Sequence, residues 1–292
     1  MNRESESEES SSQSKQPELP AAGSQLKANP WPFVVPFIVF MLIATQYPKF
    51  EPVKIDGPAP AAQTTDDAET GAEPVEVQNA DGLTVQPNPV AAKKYMFLVG
   101  LQVVVGLVLM GFWSRTYLAH FPLRFSWLAV LVGIVGIVVW IGLTSLEIEQ
   151  RLMAAVGFPP DRVARAAFRP YFEIQSKGVL GLFLVLRFTL LALIVPMLEE
   201  LFLRGWLVRW IQDADEWHRV SLAKLAFAAI ATATVYGVLT HPSEAIAAAV
   251  WFSMVSWLML RRGNVWDCVL AHGVTNFLLG VYVLWFGAWH LW

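Results

Sequence analysis

Long apolar runs without a single charged residue constrain this sequence more than any other feature. Residues 95–113 make a run of 19 positions and residues 126–146 a run of 21, and neither contains Asp, Glu, Lys or Arg. A helix needs about 20 apolar residues to cross the roughly 30 Å hydrocarbon core of a bilayer. Both runs therefore predict membrane-spanning helices. Further apolar runs, most of them with a few charged residues, lie at 31–46, 178–210, 221–241, 243–260 and 265–289.

These seven runs predict an all-α fold, a polytopic membrane helix bundle. Pro196 interrupts the run 178–210, so residues 198–210 can also be read as a separate half-helix, which would make eight spans. Composition agrees, because 55% of the 292 residues are hydrophobic and 15% are charged, whereas soluble domains carry about 25% charged residues. The single cysteine, Cys268, excludes an intrachain disulfide and paired-cysteine zinc sites.

The first third of the chain differs from the rest. Residues 1–94 carry 7 Lys/Arg and 13 Asp/Glu, a net charge of −6. Residues 1–29 predict a disordered cytoplasmic tail, because they offer almost nothing to bury. Residues 31–46 predict the first transmembrane helix, and residues 47–94 an acidic, proline-rich extramembrane segment. Residues 95–292 are the predicted polytopic membrane domain, and the Lys/Arg of its loops place the N-terminus in the cytoplasm.

Three ionisable residues lie together in one apolar run, where charge is costly and indicates function. Glu200 and Arg204 are four residues apart and can form an ion pair on one helix face. Glu199 points about 100° away from that face, as one residue turns a helix of 3.6 residues per turn by that angle. It is the carboxylate that such a pair leaves unneutralised, and it is therefore the candidate general base.

Three more polar residues complete the candidate set. His241 ends its apolar run, where a helix dipole favours a protonated imidazole. His272 and Asn276 are four residues apart, so they can hydrogen-bond between helices or together stabilise a developing oxyanion. Close packing of the alanine-rich helices would gather these residues and Glu199 around one polar cavity. Cys268 repeats the same spacing, but a thiol in apolar surroundings is inert, so it is expected to pack in the core.

Other polar residues of the apolar half have ordinary explanations. Arg187 is expected to extend toward a membrane interface, as long basic side chains do. Glu244 and Asp267 lie near the ends of apolar runs and are expected to be solvated. The polar segment 147–177 predicts a loop with an amphipathic helix at the interface.

Three motifs in this order resemble an intramembrane protease family. They are E-E-x-x-x-R at Glu199, a later helix-end histidine at His241, and H-x-x-x-N at His272, all within the motif core 178–280. This set is similar to the CPBP family of CAAX proteases and bacteriocin-processing (Abi-type) enzymes, and to its CAAX prenyl protease-related subgroup. The family's second motif is F-x-x-x-H, whereas here Gly237 stands four residues before His241 and the aromatic residue, Tyr236, five before.

The resemblance implies a role for each residue of the set. Glu199, with His241, would activate a water for attack on a peptide carbonyl. His272 and Asn276 would stabilise the oxyanion. Two residues would support the site: Glu200 and Arg204. This mechanism needs no cofactor, although zinc held by Glu199, His241 and His272 is the alternative, since one carboxylate, two imidazoles and a water satisfy tetrahedral zinc.

The sequence thus predicts an intramembrane endopeptidase of the CAAX prenyl protease type. Its expected substrate is a membrane-associated protein or peptide, and its expected location is the cell membrane as a multi-pass protein, the cytoplasmic membrane if the source is bacterial. A membrane scaffold or maturation factor that keeps the protease fold without turnover is the alternative. The absence of a Lys/Arg cluster gives no support for nucleic-acid binding.

Overall fold

The computed structural model describes residues 29–50, 87–157 and 168–292. Within these ranges every regular element is helical, which confirms the predicted all-α class. The α-helices in chain order are α1 Trp31–Ala44, α2 Pro89–Phe112, α3 Ser114–His120, α4 Trp127–Thr144, α5 Ile148–Ala155, α6 Pro170–Glu173, α7 Lys177–Thr189, α8 Val195–Glu200, α9 Val208–Gln212, α10 Phe227–Thr240, α11 Ala245–Arg262 and α12 Val265–Phe286. Most of the predicted disordered tail and of the acidic segment, residues 1–28 and 51–86, lies outside the described residues.

Seven apolar helical stretches appear in the predicted order. Five are long and apolar enough to span a membrane: Pro89–Phe112, Trp127–Ala155, Lys177–Gln212, Pro242–Arg262 and Val265–Phe286. The other two, α1 and α10, are apolar helices of 14 residues each. At 1.5 Å per residue each of them is about 21 Å long, shorter than the hydrocarbon core. The chain is therefore a multi-pass membrane protein with two short helices.

The polar segment 147–177 contains two short helices, α5 and α6, in the part that the structure describes. None of the α5 side chains is buried. Glu149 of α5 accepts a hydrogen bond from the Ile246 backbone N–H over 2.8 Å, which connects this segment to the start of α11.

Helix α2 begins at Pro89, six residues before the apolar run predicted from the sequence. The Asn88 side chain caps its N-terminus.

The helical stretch Lys177–Gln212, called here the long helix, does not divide at Pro196. It joins α7, α8 and α9 through two π-helical turns, Leu190–Ile194 and Leu201–Leu207. Proline lacks the N–H that would bond the carbonyl four residues earlier, and a wider turn is one way in which a helix accommodates this loss. The reading of residues 198–210 as a separate half-helix is therefore wrong.

The carbonyl groups near these π turns are where α12 docks on the long helix. Asn276 donates its Nδ2–H to the Leu191 carbonyl over 3.0 Å. Gly273 faces the neighbouring carbonyl, since a Cβ at this position would lie 2.6 Å from the Ala192 oxygen. Only glycine allows this approach, so these two contacts fix the position of α12 along the long helix.

The alanine-rich helices pack closely, as their small residues predicted. Ala229 and Ala233 of α10 and Ala248 of α11 are 1% exposed or less. A Cβ on Gly237 of α10 would lie 2.2 Å from the Phe252 ring of α11. This close approach brings the C-terminal end of α10, with Tyr236 and His241, against the helices that carry the other candidate residues.

Candidate active site

Glu200 lies at the centre of a fully buried polar cluster. Arg204 donates Nη1–H to the Glu200 carboxylate from one turn further along the long helix, and both residues are 0% exposed. The other Glu200 oxygen lies 3.0 Å from His272 Nδ1 of α12. Arg204 also donates Nη2–H to the Phe252 carbonyl over 3.2 Å. The predicted ion pair is confirmed, and Glu200 additionally orients His272.

His272 lies between two carboxylates. A carboxylate is an acceptor only, so the contact with Glu200 places a proton on His272 Nδ1 and turns Nε2 the other way. On that side Nε2 is 3.8 Å from Glu199 Oε2. This distance is too long for a direct hydrogen bond, but one water oxygen can lie about 2.8–3.0 Å from both atoms. A single water lying to one side of the line that joins these two atoms could therefore contact both of them.

Glu199 is 7% exposed and takes no part in the Arg204 ion pair. The Tyr236 side chain of α10 lies within electrostatic range of the Glu199 carboxylate. The Tyr236 ring itself packs 5.8 Å from the Phe252 ring. The structure therefore brings Glu199 and His272 together as predicted, and it adds a tyrosine that the sequence analysis noted only as a departure from the family motif.

His241 caps the C-terminal end of α10, as predicted. Its Nδ1 lies 3.1 Å from the Gly237 carbonyl and 3.0 Å from the Thr240 hydroxyl, so the ring is held at the helix end. The imidazole packs 5.9 Å from Phe252 and 5.5 Å from Trp140. The Phe252 ring also lies 5.6 Å from the Arg204 guanidinium carbon, so this ring packs between His241 and the buried cluster.

Asn276 lies one turn beyond His272 on α12. Its amide donates to the Leu191 carbonyl, which is the hydrogen bond between helices that the sequence offered as an alternative to an oxyanion role. An amide has two N–H donors, so this bond leaves the second one available. Asn276 both anchors α12 and stands beside the catalytic candidates.

Two aromatic residues of α11 shape the site and were missed by the sequence analysis. The Trp251 ring lies edge-on to the His272 ring, with 4.7 Å between their centres. Trp251 Nε1 donates to the Thr275 hydroxyl over 3.2 Å. Its neighbour Phe252 contacts Tyr236, His241 and Arg204 as described. Apolar residues on an apolar helix carry no sequence signal that distinguishes a site wall from ordinary core.

The structure corrects two expectations near the ends of the apolar runs. Asp267 is 0% exposed and accepts a hydrogen bond from Arg262 Nε over 2.9 Å. Glu244 is 6% exposed. Both were expected to be solvated, and both are buried because the ends of α11 and α12 pack inside the bundle. Cys268 is 0% exposed, which confirms that it packs in the core.

Comparison with known proteins bears directly on this cluster. Residues 181–278 match the family model of type II CAAX prenyl endopeptidases, Rce1-like. The match confirms the predicted resemblance and spans about a third of the chain. It includes all six predicted site residues: Glu199, Glu200, Arg204, His241, His272 and Asn276. No curated protein and no solved structure gives a significant match.

The matched segment contains the three residues of the alternative zinc set, Glu199, His241 and His272. Within residues 29–50, 87–157 and 168–292, no group of three His, Cys, Asp or Glu side chains is arranged so that it could hold a metal ion. Glu200 and His272 are instead engaged with each other, in the geometry of a carboxylate that orients an imidazole.

Proposed function

We propose that this protein is an intramembrane endopeptidase that hydrolyses a peptide bond in a membrane-associated protein or peptide. Its match to Rce1-like endopeptidases supports a CAAX-protease-like hydrolase. The observation that carries the finer proposal is the division between the two adjacent carboxylates. Glu200 is neutralised by Arg204 and bonded to His272, whereas Glu199 faces the free side of the same imidazole.

Glu199 would accept a proton from the water that attacks the peptide carbonyl. A base in this position must lie within hydrogen-bond reach of the water, and a water that contacts both Glu199 and His272 Nε2 meets that condition. The proton would then pass from Glu199 to the leaving amine, so that the carboxylate is restored after each turnover. His241, at the end of α10, would assist the same water.

His272 would stabilise the oxyanion. With one proton held on Nδ1 by Glu200, its imidazolium form presents Nε2–H toward the reacting centre. Asn276 would supply a second donor from one turn away on α12. Hydrogen-bond donors that are fixed in a site shielded from bulk water stabilise developing charge more strongly than the same groups in water. The reason is that they need not reorient when the charge forms.

An apolar cavity beside the site supports a membrane-associated substrate. It has a volume of about 680 Å³ and is lined almost entirely by apolar side chains, most of them from α3 and the loop after it, the long helix and α12. Met197 and Gly273 belong to its wall, two residues from Glu199 and next to His272 respectively. A substrate with an apolar segment can therefore lie against the site from within the membrane.

The test is a proteomic comparison of membrane peptides and new protein termini in cells that carry the wild-type chain or Glu199→Gln. Termini made by this protein should disappear in the variant. Glu216→Gln, a carboxylate exposed in a loop outside the cluster, is the control and should leave them unchanged. If Glu199→Gln keeps every terminus and the full biological effect, the protein acts as a scaffold or maturation factor instead.

A further inference from the structure

Arg187 of α7 is a buried cation outside the candidate active site. It is 8% exposed, so most of its side chain lies inside the protein. No Asp or Glu of the described residues forms an ion pair with it, and its buried Nε–H has no hydrogen-bond partner among them. A buried N–H of a cation without an acceptor is costly, so an acceptor is expected at this position.

A second unsatisfied donor lies beside it. The Arg187 guanidinium carbon is 5.3 Å from the centre of the Trp292 ring, and Trp292 Nε1–H is also buried without a partner among the described residues. The Trp292 ring packs against Phe188, which brings the C-terminal turn onto α7. Two N–H donors and a positive charge therefore share one small region, and an anion with several oxygens can satisfy both donors.

The depth of Arg187 indicates which anion. The long helix has 36 residues, so it is about 54 Å long, and a centred hydrocarbon core of about 30 Å leaves about 12 Å, or eight residues, at each end. Arg187 is the eleventh residue of this helix, which begins at Lys177. It thus lies close to the core boundary, where lipid phosphates meet the acyl chains and where tryptophan is favoured.

We propose that Arg187 and Trp292 bind the headgroup phosphate of one phospholipid in a site between α7 and the C-terminal turn. A planar guanidinium matches phosphate oxygens with two parallel N–H bonds. The Tyr47 side chain, in the segment after α1, lies within electrostatic range of Arg187. This lipid site is separate from the catalytic cluster, because Arg187 precedes Glu199 by more than three helical turns.

The experiment uses the full chain in a phosphate-free maltoside detergent. Phosphatidylglycerol, diacylglycerol with the same acyl chains, and inorganic phosphate are titrated separately, and binding is followed by native mass spectrometry and by the thermal unfolding midpoint. Phosphatidylglycerol alone should bind and raise the midpoint. Equal binding of diacylglycerol would show that no phosphate is recognised, and an equal effect of inorganic phosphate would show that the occupant is a soluble anion; either result overturns the proposal.

Variants locate the site. Arg187→Gln should weaken phosphatidylglycerol binding by about 10- to 100-fold, since a hydrogen bond to a charged group contributes about that factor. Arg219→Gln, with a side chain 67% exposed in a loop, is the matched control and should bind as the wild type does. If Arg187→Gln does not fold, Arg187→Lys and Trp292→Phe decide, because the first keeps the charge but removes the planar guanidinium and the second keeps an aromatic ring but removes the indole N–H. Unchanged affinity in both would refute the site.

Discussion

Exchange of each adjacent glutamate for glutamine separates catalysis from structure in this site. Glu199→Gln and Glu200→Gln change neither the size nor the position of the side chain, and each removes one negative charge. In the structure the two carboxylates have different partners, since Glu200 binds Arg204 and His272 while Glu199 faces Tyr236 and the free side of His272. The two variants should therefore fail in different ways.

Glu200→Gln should act on stability. Arg204 is 0% exposed, and its remaining acceptors, the glutamine oxygen and the Phe252 carbonyl, would carry no negative charge to compensate it. Removal of one partner of a buried ion pair costs about 3–5 kcal/mol, because the other charge stays buried and uncompensated. Glu199→Gln leaves the ion pair between Glu200 and Arg204 intact. Its cost should be about 1 kcal/mol or less.

Glu199→Gln should act on turnover. Loss of a general base lowers kcat by about 10²- to 10⁴-fold. The assay measures cleavage of a peptide identified by the proteomic comparison, with variants purified in detergent and compared at equal amounts of folded, monodisperse protein. Thermal unfolding midpoints are recorded for the same samples. Asp267→Asn is the control, because it also removes a buried carboxylate that pairs with an arginine but does not contact His272.

The refuting outcome is specific. If folded Glu200→Gln is inactive while Glu199→Gln cleaves the peptide at the wild-type rate, then Glu200 is the base and the assignment made here is wrong. Asp267→Asn should retain activity, and its loss of stability should be smaller than that of Glu200→Gln, since the Arg262 side chain that it leaves behind is 43% exposed and can be hydrated.

Three other predictions concern the metal, the oxyanion and helix docking. If Glu199 activates water directly, activity should survive chelation and dialysis; stoichiometric zinc, with activity lost on chelation and restored by zinc, would refute this. Asn276→Ala should keep a trace of activity, with kcat lowered about 10²- to 10³-fold and KM little changed in steady-state kinetics. Gly273→Ala should lower both thermal stability and kcat, because its Cβ would lie 2.6 Å from the Ala192 carbonyl; an unchanged kcat would contradict this.

Local spacing predicted the part of the site that lies within one helix. Glu200 and Arg204 are one turn apart, so their ion pair follows from helix geometry alone. Hydropathy predicted the number of apolar helical stretches, because a run of apolar residues of sufficient length is itself the signal for such a helix. The family match covers the segment that contains the three sequence motifs.

Contacts between helices were not predictable in the same way. The bond from His272 to Glu200 joins residues 72 positions apart, and spacing could suggest only that both lie on apolar helices. The proximity of Tyr236 to Glu199 depends on how α10 meets the long helix. Asp267 is buried because the end of α12 that carries it packs inside the bundle. Its position near the end of an apolar run had suggested a solvated residue.

Pro196 shows why the error about the long helix matters for function. A proline within an apolar run suggested a break, but the helix continues through π turns, and the carbonyls near those turns receive the Asn276 amide and the close approach of Gly273. His272 lies next to Gly273 on α12. The contacts of Asn276 and Gly273 with the long helix therefore also set the position of His272 relative to Glu199 and Glu200. The irregular backbone around Pro196 thus positions α12, and with it His272, opposite Glu199 and Glu200. The site therefore depends on a long helix that is continuous but contains π turns.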